Sequence, residues 1–224
     1  MRKLSKSKKP QILVDNEVAW TKEYCDCLSV GKTPSREIAM RYSHPTIKSA
    51  LEGETRGKCA YCESKIKHIS YGDIEHILPK NKEARPDLYV SWSNLTLACE
   101  QCNRSGKRTY YDPDLPLINP YSDDPEQHFI DMGSLIMPIA GDDRAYVTKE
   151  VLKLNRGGLV ERRQERIMSV EKLLNSWVKE KQPTIKKILE EELHNEYLAD
   201  KEYSSTIKAY LVGVGFPVKD NQQS

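Results

Sequence analysis

Two Cys-x-x-Cys pairs constrain the fold of this chain more than any other feature of its sequence. They are Cys59 with Cys62 and Cys99 with Cys102. Two such turns can bring four thiolates onto one tetrahedral zinc ion, and because protein then fills all four positions, the metal is structural. Four buried thiols without metal are the simpler alternative. A redox site of the thioredoxin type is disfavoured, because such a site uses one pair within a βαβ pattern.

The segment between the two pairs is longer than the usual gap between zinc knuckles, so it must leave the metal and return to it. Within it, residues 71–79 alternate apolar and polar side chains before a proline, which predicts a short strand that enters a loop. Glu75 and His76 are neighbours on this strand and point to opposite faces. At a strand end both can still reach a phosphate, the carboxylate through a hard cation and the imidazole through a water molecule. An isolated histidine is more often structural, so its surroundings decide its role.

These surroundings resemble the HNH endonuclease family, in which a β-hairpin and a helix form a ββα-metal site. The resemblance rests on Glu75-His76-Ile77-x-Pro79, on Asn94-Leu95, and on Cys99-x-x-Cys102-Asn103 with Lys107. It implies an α+β fold in which a zinc-stabilised ββα-metal core is joined to an N-terminal helical arm and a mainly α-helical C-terminal region.

The resemblance also implies a role for each matched side chain. His76 would be the general base that activates water, and Asn94 would bond to loop backbone and keep the histidine oriented. Glu75 and Asn103 would ligate a catalytic Mg²⁺ or Mn²⁺. The family's name calls for a histidine where this chain has Asn103; asparagine also occurs there in the family and tends to accompany a hard, oxygen-preferring cation.

Two basic stretches flank this core. The first follows the last metal-ligand position, where phosphate binding and a solvated helix face are the alternatives, and comprises Arg104, Lys107 and Arg108. The second is an arm that could lie along a nucleic-acid backbone, dock on a partner or be disordered, and comprises Arg2, Lys3, Lys6, Lys8 and Lys9.

Patterns of apolar residues, caps and prolines divide the chain into four parts. Residues 1–52 form the basic arm and helices, with one helix over 15–29 and others that begin near Pro34 and Pro45. Residues 53–112 form the nuclease core. Residues 113–148 form a turn-rich linker and a small β-hairpin, with strands over 129–139 and 145–148 around Gly141-Asp142-Asp143. Residues 149–224 form the helical C-terminal region.

Composition excludes several classes of protein. Of the 224 residues 38% are hydrophobic and 30% are charged, and no segment approaches the roughly 18 apolar residues of a membrane helix. The basic start is not followed by the apolar run of a signal peptide. Cys25 and Cys27 are too close together for an ordinary disulfide framework, so we expect a reducing cytoplasm. A net charge of +2 does not by itself indicate nucleic-acid binding.

The full layout narrows the resemblance to the HNH nuclease component of Septu anti-phage systems and to retron-associated nucleases. It rests on the Met-Arg-Lys-Leu start, the HNH core, the segment 119–125 and Thr148-x-x-Val151-Leu152-x-Leu154-Asn155-Arg156. The resemblance implies an ABC or OLD-like ATPase partner. No Walker motif occurs in this chain, so any nucleotide hydrolysis would have to come from that partner. We therefore expect a metal-dependent DNA endonuclease. The alternatives are an RNA nuclease that acts on tRNA and a non-catalytic zinc-binding adaptor.

Overall fold

A computed structural model describes residues 1–66 and 72–219. The fold is mixed α+β, as predicted. The helices are α1 (Gln11–Ser29), α2 (Arg36–Ala39), α3 (Pro45–Thr55), α4 (Asp143–Val151), α5 (Gly157–Lys179), α6 (Pro183–Asn195) and α7 (Ser204–Gly213). The strands are β1 (Asp73–His76), β2 (Leu95–Ala98), β3 (Phe129–Met132) and β4 (Leu135–Pro138).

Strands β1 and β2 form the predicted antiparallel hairpin of the core. Asp73 is opposite Ala98 and His76 is opposite Leu95. The predicted strand began at Tyr71, which lies outside the described residues. The hairpin is followed by a π-helix, Gln101–Lys107, which takes the place of the expected α-helix. A Cβ at Gly106 would lie 3.0 Å from the Val151 carbonyl oxygen, so glycine lets this π-helix pack closely on the end of α4.

The N-terminal arm is ordered on the core in this structure. The Leu4 amide donates to the Pro120 carbonyl, and the Trp92 indole donates to the Ser7 carbonyl. Lys6 pairs with Glu54 at 3.1 Å, and its ammonium lies over the Trp92 ring. The disordered alternative for the arm is therefore wrong, and Lys6 is already used in an internal ion pair.

The second hairpin differs from its prediction. Strands β3 and β4 pair with each other, and Gly133 lies in the turn between them with a φ of 62°. The predicted strand over 145–148 is wrong, because these residues belong to α4. The helix forms here because the Asp142 side chain accepts a hydrogen bond from the Ala145 amide at 2.8 Å. Asp142 therefore caps a helix and does not close a hairpin.

The C-terminal region is helical, as predicted, and has a hydrophobic core of its own. The main cluster surrounds the four cysteines and includes Leu95, Leu97 and Leu152. The second cluster joins α5, α6 and α7 and contains Ile167, Val170, Leu193, Tyr197, Ile207, Leu211 and Phe216. No helix within the described residues has both the length and the apolar character needed to cross a membrane.

Candidate active site

The four cysteines of the two pairs meet in a buried cluster. All four sulfur atoms lie within 4.8 Å of one another, and the Cys62 and Cys99 sulfurs are 3.8 Å apart. Zinc–sulfur bonds of about 2.3 Å in a tetrahedron place the sulfurs about 3.8 Å apart. The donor set therefore fits a structural zinc ion with no open position for a substrate.

One arginine that sequence reasoning did not assign contacts this cluster. Arg156 precedes α5, and its guanidinium lies 3.6 Å from the Cys102 sulfur, 3.7 Å from Cys62 and 3.9 Å from Cys99. Four thiolates carry two more negative charges than Zn²⁺ neutralises. Arg156 places a positive charge against that excess.

His76 is held at the end of β1 with one nitrogen committed to the protein. Its Nε2 lies 2.8 Å from the Tyr89 carbonyl oxygen. A carbonyl only accepts, so Nε2 carries the hydrogen and Nδ1 of the neutral ring keeps its lone pair. Burial lowers the pKa of His76 to about 3, with a further contribution from the Lys80 charge. The ring is therefore neutral at physiological pH, and its Nδ1 lone pair is not protonated.

Asn94 bonds to loop backbone, as its predicted role requires. Its side-chain oxygen accepts from the Leu78 amide at 2.8 Å, and its nitrogen donates to the carbonyls of Leu78 at 2.9 Å and Leu88 at 3.2 Å. Leu88 directly precedes Tyr89, whose carbonyl holds His76. Asn94 thus braces the loop that sets the orientation of the histidine.

Glu75 and Asn103 each already have a protein partner. Lys107 is buried and its ammonium is 2.6 Å from a Glu75 carboxylate oxygen. Burial raises the pKa of Glu75, and the Lys107 charge opposes that shift. The Asn103 amide donates to Asp73, whose carboxylate also receives a bidentate contact from Arg104.

The structure changes the interpretation of the basic cluster after Cys102. Lys107 points inward, where it also donates to the His76 carbonyl at 2.8 Å, so it cannot present its charge to an external phosphate. Arg104 is exposed but neutralises Asp73 at 2.7 Å. Arg108 is exposed at the end of the π-helix and is the member of the cluster whose placement best suits phosphate binding.

Sequence reasoning missed several side chains of the site. Asp73 lies two residues before Glu75 on the same face of β1, and the period of a strand could have identified it. Tyr42 packs edge-on against His76, with ring centroids 4.6 Å apart, and the Lys80 ammonium lies 3.8 Å from the Tyr42 ring centroid. No local pattern connects Tyr42 or Lys80 with the histidine, because tertiary folding brings them there.

Comparison with known proteins agrees with this geometry. Residues 59–108 match the family model described as HNH endonuclease. The chain is 34% identical over 151 residues to the Septu protein PtuB of Bacillus mycoides (strain KBAB4), which covers 54% of this chain and 51% of the relative. It is also 34% identical over 155 residues to the Septu protein PtuB of Bacillus thuringiensis, a match that covers 68% of this chain and 54% of the relative.

A third relative is the Septu protein PtuA of Bacillus mycoides (strain KBAB4), 30% identical over 164 residues, with 60% of this chain and 23% of the relative covered. This chain spans about half the length of the PtuB relatives that it matches. No solved structure matches it significantly. The predicted resemblance to HNH endonucleases and to a Septu protein is confirmed.

Proposed function

With an HNH segment over residues 59–108 as the starting point, we propose that this chain is a divalent-metal-dependent endonuclease that hydrolyses phosphodiester bonds in DNA. The observation that carries the proposal is the state of His76. Its Nε2 is committed to the Tyr89 carbonyl, which leaves the Nδ1 lone pair as the candidate base. A histidine kept neutral and oriented in this way is suited to general-base catalysis.

In the proposed reaction, Nδ1 of His76 takes a proton from a water molecule as the water oxygen attacks phosphorus. The bond to the 3′ oxygen breaks, and the leaving group acquires a proton from solvent. Asn94 contributes indirectly, because it holds the loop whose carbonyl orients the imidazole. A correctly placed histidine base accounts for roughly 10²- to 10⁴-fold in rate.

Glu75 and Asn103 are the proposed ligands of Mg²⁺ or Mn²⁺, and the side chain of Asp73 joins them as a further oxygen donor. Carboxylate and amide oxygens are the donors that hard cations prefer, so the chemistry of this set fits such an ion. The bound ion would stabilise the charge on the phosphate and on the departing oxygen. If Glu75 ligates the ion, its carboxylate must interact with both the ion and the Lys107 ammonium, which is 2.6 Å away.

The named relatives support a place in a Septu system. We propose that the chain acts in the cytoplasm in an anti-phage complex with an ATPase partner. The N-terminal residues 1–52 and the C-terminal residues 149–224 would serve assembly, and residues 53–112 would carry the chemistry. The similarity to Septu proteins over 54% to 68% of this chain supports the proposal.

Cleavage of plasmid DNA and of total tRNA by the purified chain, with Mg²⁺ or Mn²⁺ and with or without the ATPase, tests this function. We expect DNA cleavage that His76→Ala nearly abolishes. Zinc content and melting temperature, measured on both proteins, separate loss of the base from loss of the fold. Selective cleavage of RNA would replace the DNA substrate by the RNA alternative. Wild type and variant that are equally inert with zinc bound would favour the adaptor.

A further inference from the structure

Lys80 places an unpaired positive charge in the candidate active site. Its ammonium donates to the Ala39 carbonyl at 3.2 Å and lies over the rings of Tyr42 and Tyr89, 3.8 Å and 5.4 Å from their centroids. Within residues 1–66 and 72–219, no carboxylate oxygen lies within 4.0 Å of this ammonium, the distance limit for an ion pair. Burial alone lowers the pKa of Lys80 to about 8, with no opposing carboxylate.

Two of the other cations near the site differ from Lys80 because each has a carboxylate partner, and Arg108 differs because it is exposed. Lys107 is neutralised by Glu75 and Arg104 by Asp73. A partly buried ammonium without an anion is unfavourable, since the loss of hydration is not repaid by a counter-charge. The faces of Tyr42 and Tyr89 offset part of that cost through cation–π contacts. The site therefore has a positive charge for which the described chain supplies no anion.

The position of this charge relates it to the base. The Tyr42 ring contacts both the Lys80 ammonium and the His76 ring. The backbone of Lys80 is also fixed, because its carbonyl accepts from the Tyr24 hydroxyl at 3.3 Å. Pro79 precedes it and limits the movement of the loop after β1.

We propose that Lys80 binds a non-bridging phosphate oxygen of the nucleic-acid strand on which His76 acts, an inference that rests on the proposed function. The phosphate supplies the anion that the site lacks, and the ammonium stabilises negative charge that grows on the phosphate oxygens as water attacks. Lys80, which lies outside the basic cluster predicted from the sequence, is then a substrate-binding residue of the active site.

The first test compares Lys80→Met with Lys82→Met, because Lys82 is exposed two residues further along the same loop. Both are measured in the His76→Ala background, so that binding of a fluorescent DNA oligonucleotide is not obscured by cleavage. We expect Lys80→Met to weaken binding roughly 10- to 100-fold, as for the loss of a charged hydrogen bond. The slope of log affinity against log salt should also fall by about one phosphate contact. Lys80→Arg should retain part of the affinity.

Thermal unfolding separates this role from a structural one. Lys80→Met removes an unpaired charge and keeps the aliphatic stem, so its melting temperature should equal or exceed that of the parent. A lower melting temperature with unchanged DNA affinity and salt slope would overturn the inference. Lys80 would then have a structural role only, through its hydrogen bond to the Ala39 carbonyl.

A second test needs neither cleavage nor DNA. Lysines of the intact chain are labelled with an amine-reactive reagent, with and without inorganic phosphate, and quantified by mass spectrometry. We expect phosphate to protect Lys80 and not Lys82. If phosphate protects Lys80 but the chain neither binds nor cuts nucleic acid, Lys80 still belongs to a phosphate-binding site, and the proposed nuclease function is refuted. DNA cleavage without protection, and with full activity in Lys80→Met, would refute the Lys80 inference alone.

Discussion

His76 is held in its neutral form by the surroundings of its ring. Only 8% of its surface is exposed, Nε2 is bonded to the Tyr89 carbonyl, and the nearby Lys80 ammonium opposes a second positive charge. Tyr42 and Tyr89 supply the uncharged faces around it. Burial and the Lys80 charge favour the neutral imidazole, which is the form that accepts a proton from water. The bond to the Tyr89 carbonyl opposes this lowering of the pKa but fixes the orientation of the ring.

The same contacts predict how stability depends on pH. The folded pKa of His76 is about 3, against an ordinary value of 6.5, so between these values the unfolded chain binds a proton that the folded chain does not. The contribution of His76 is therefore complete above pH 6.5 and is lost as the pH falls towards 3. We expect the unfolding free energy to fall with decreasing pH by up to about 1.4 kcal/mol per unit more in wild type than in His76→Gln.

Urea unfolding at a series of pH values between 7 and 4 measures that difference in slope. The comparison is between slopes, so any constant cost of placing glutamine at position 76 cancels. Equal slopes in the two proteins would show that His76 titrates in the folded protein as it does in the unfolded chain, which would contradict the buried environment of the ring.

At the residue scale, sequence patterns identified the groups that belong to recognisable motifs. Cys59, Cys62, Cys99 and Cys102 do converge, and Asn94 does bond to the loop. Patterns could not show that Lys107 turns inward, because a basic residue at the end of a motif has the same sequence signature whether it faces Glu75 or solvent. They could not show Lys80 either, since its partners come from distant parts of the chain.

At the scale of elements, the junction between α4 and α5 connects the C-terminal region to the four-cysteine cluster. Arg156 at this junction contacts three of the four sulfurs, and the neighbouring Asn155 bonds to both the amide and the carbonyl of Ile136 on β4. Two adjacent side chains thus contact the four-cysteine cluster and the second hairpin. The sequence analysis singled out this segment, but only as part of a family resemblance.

We expect Arg156→Gln to weaken zinc binding, because the excess negative charge of the cluster loses its nearest cation. Partners beyond the ligands commonly change metal affinity by about 10- to 100-fold. The measurement is the rate at which a chromogenic chelator takes zinc from the folded protein. Arg156→Lys should be intermediate, and Arg162→Gln, whose side chain is 71% exposed on α5, is the matched control. Release that is equally fast in all variants would show that Arg156 does not compensate the cluster.

Element types were predictable where one signal dominated. Apolar spacing gave the long helices, and prolines after Gln182 and His44 marked the starts of α6 and α3. The hairpin over 129–148 was only half right, because Gly141-Asp142-Asp143 reads equally as a turn or as a helix start. The Asp142 cap and the packing of α4 through Ala145 and Thr148 together favour the helix, and the burial of these two residues was not visible in the sequence.

At the scale of the whole molecule, the two hydrophobic clusters differ in their dependence on metal. The main cluster contains all four cysteines, and Trp92 and Trp20 pack in or against it. The second cluster contains no cysteine among its described members, and Trp177 packs against it with its ring centroid 5.2 Å from that of Phe216. The three tryptophans of the chain thus report separately on the two clusters.

Removal of zinc should therefore unfold one part of the molecule before the other. Without metal, four thiols that were held as ligands leave the main cluster without its cross-link, since binding energy and folding energy are the same quantity in such a site. In ¹⁹F spectra of protein labelled with 5-fluorotryptophan, a chelator should collapse the signals of Trp20 and Trp92 towards the unfolded position, while Trp177 keeps its folded shift. Added Zn²⁺ should restore both signals, and Mg²⁺ should not, because a hard cation does not replace zinc at four thiolates.

Simultaneous loss of all three signals would instead show that α5, α6 and α7 depend on the metal through Arg156 and its neighbours. If no signal changed after complete zinc removal, the cysteines would be buried thiols whose packing suffices without metal.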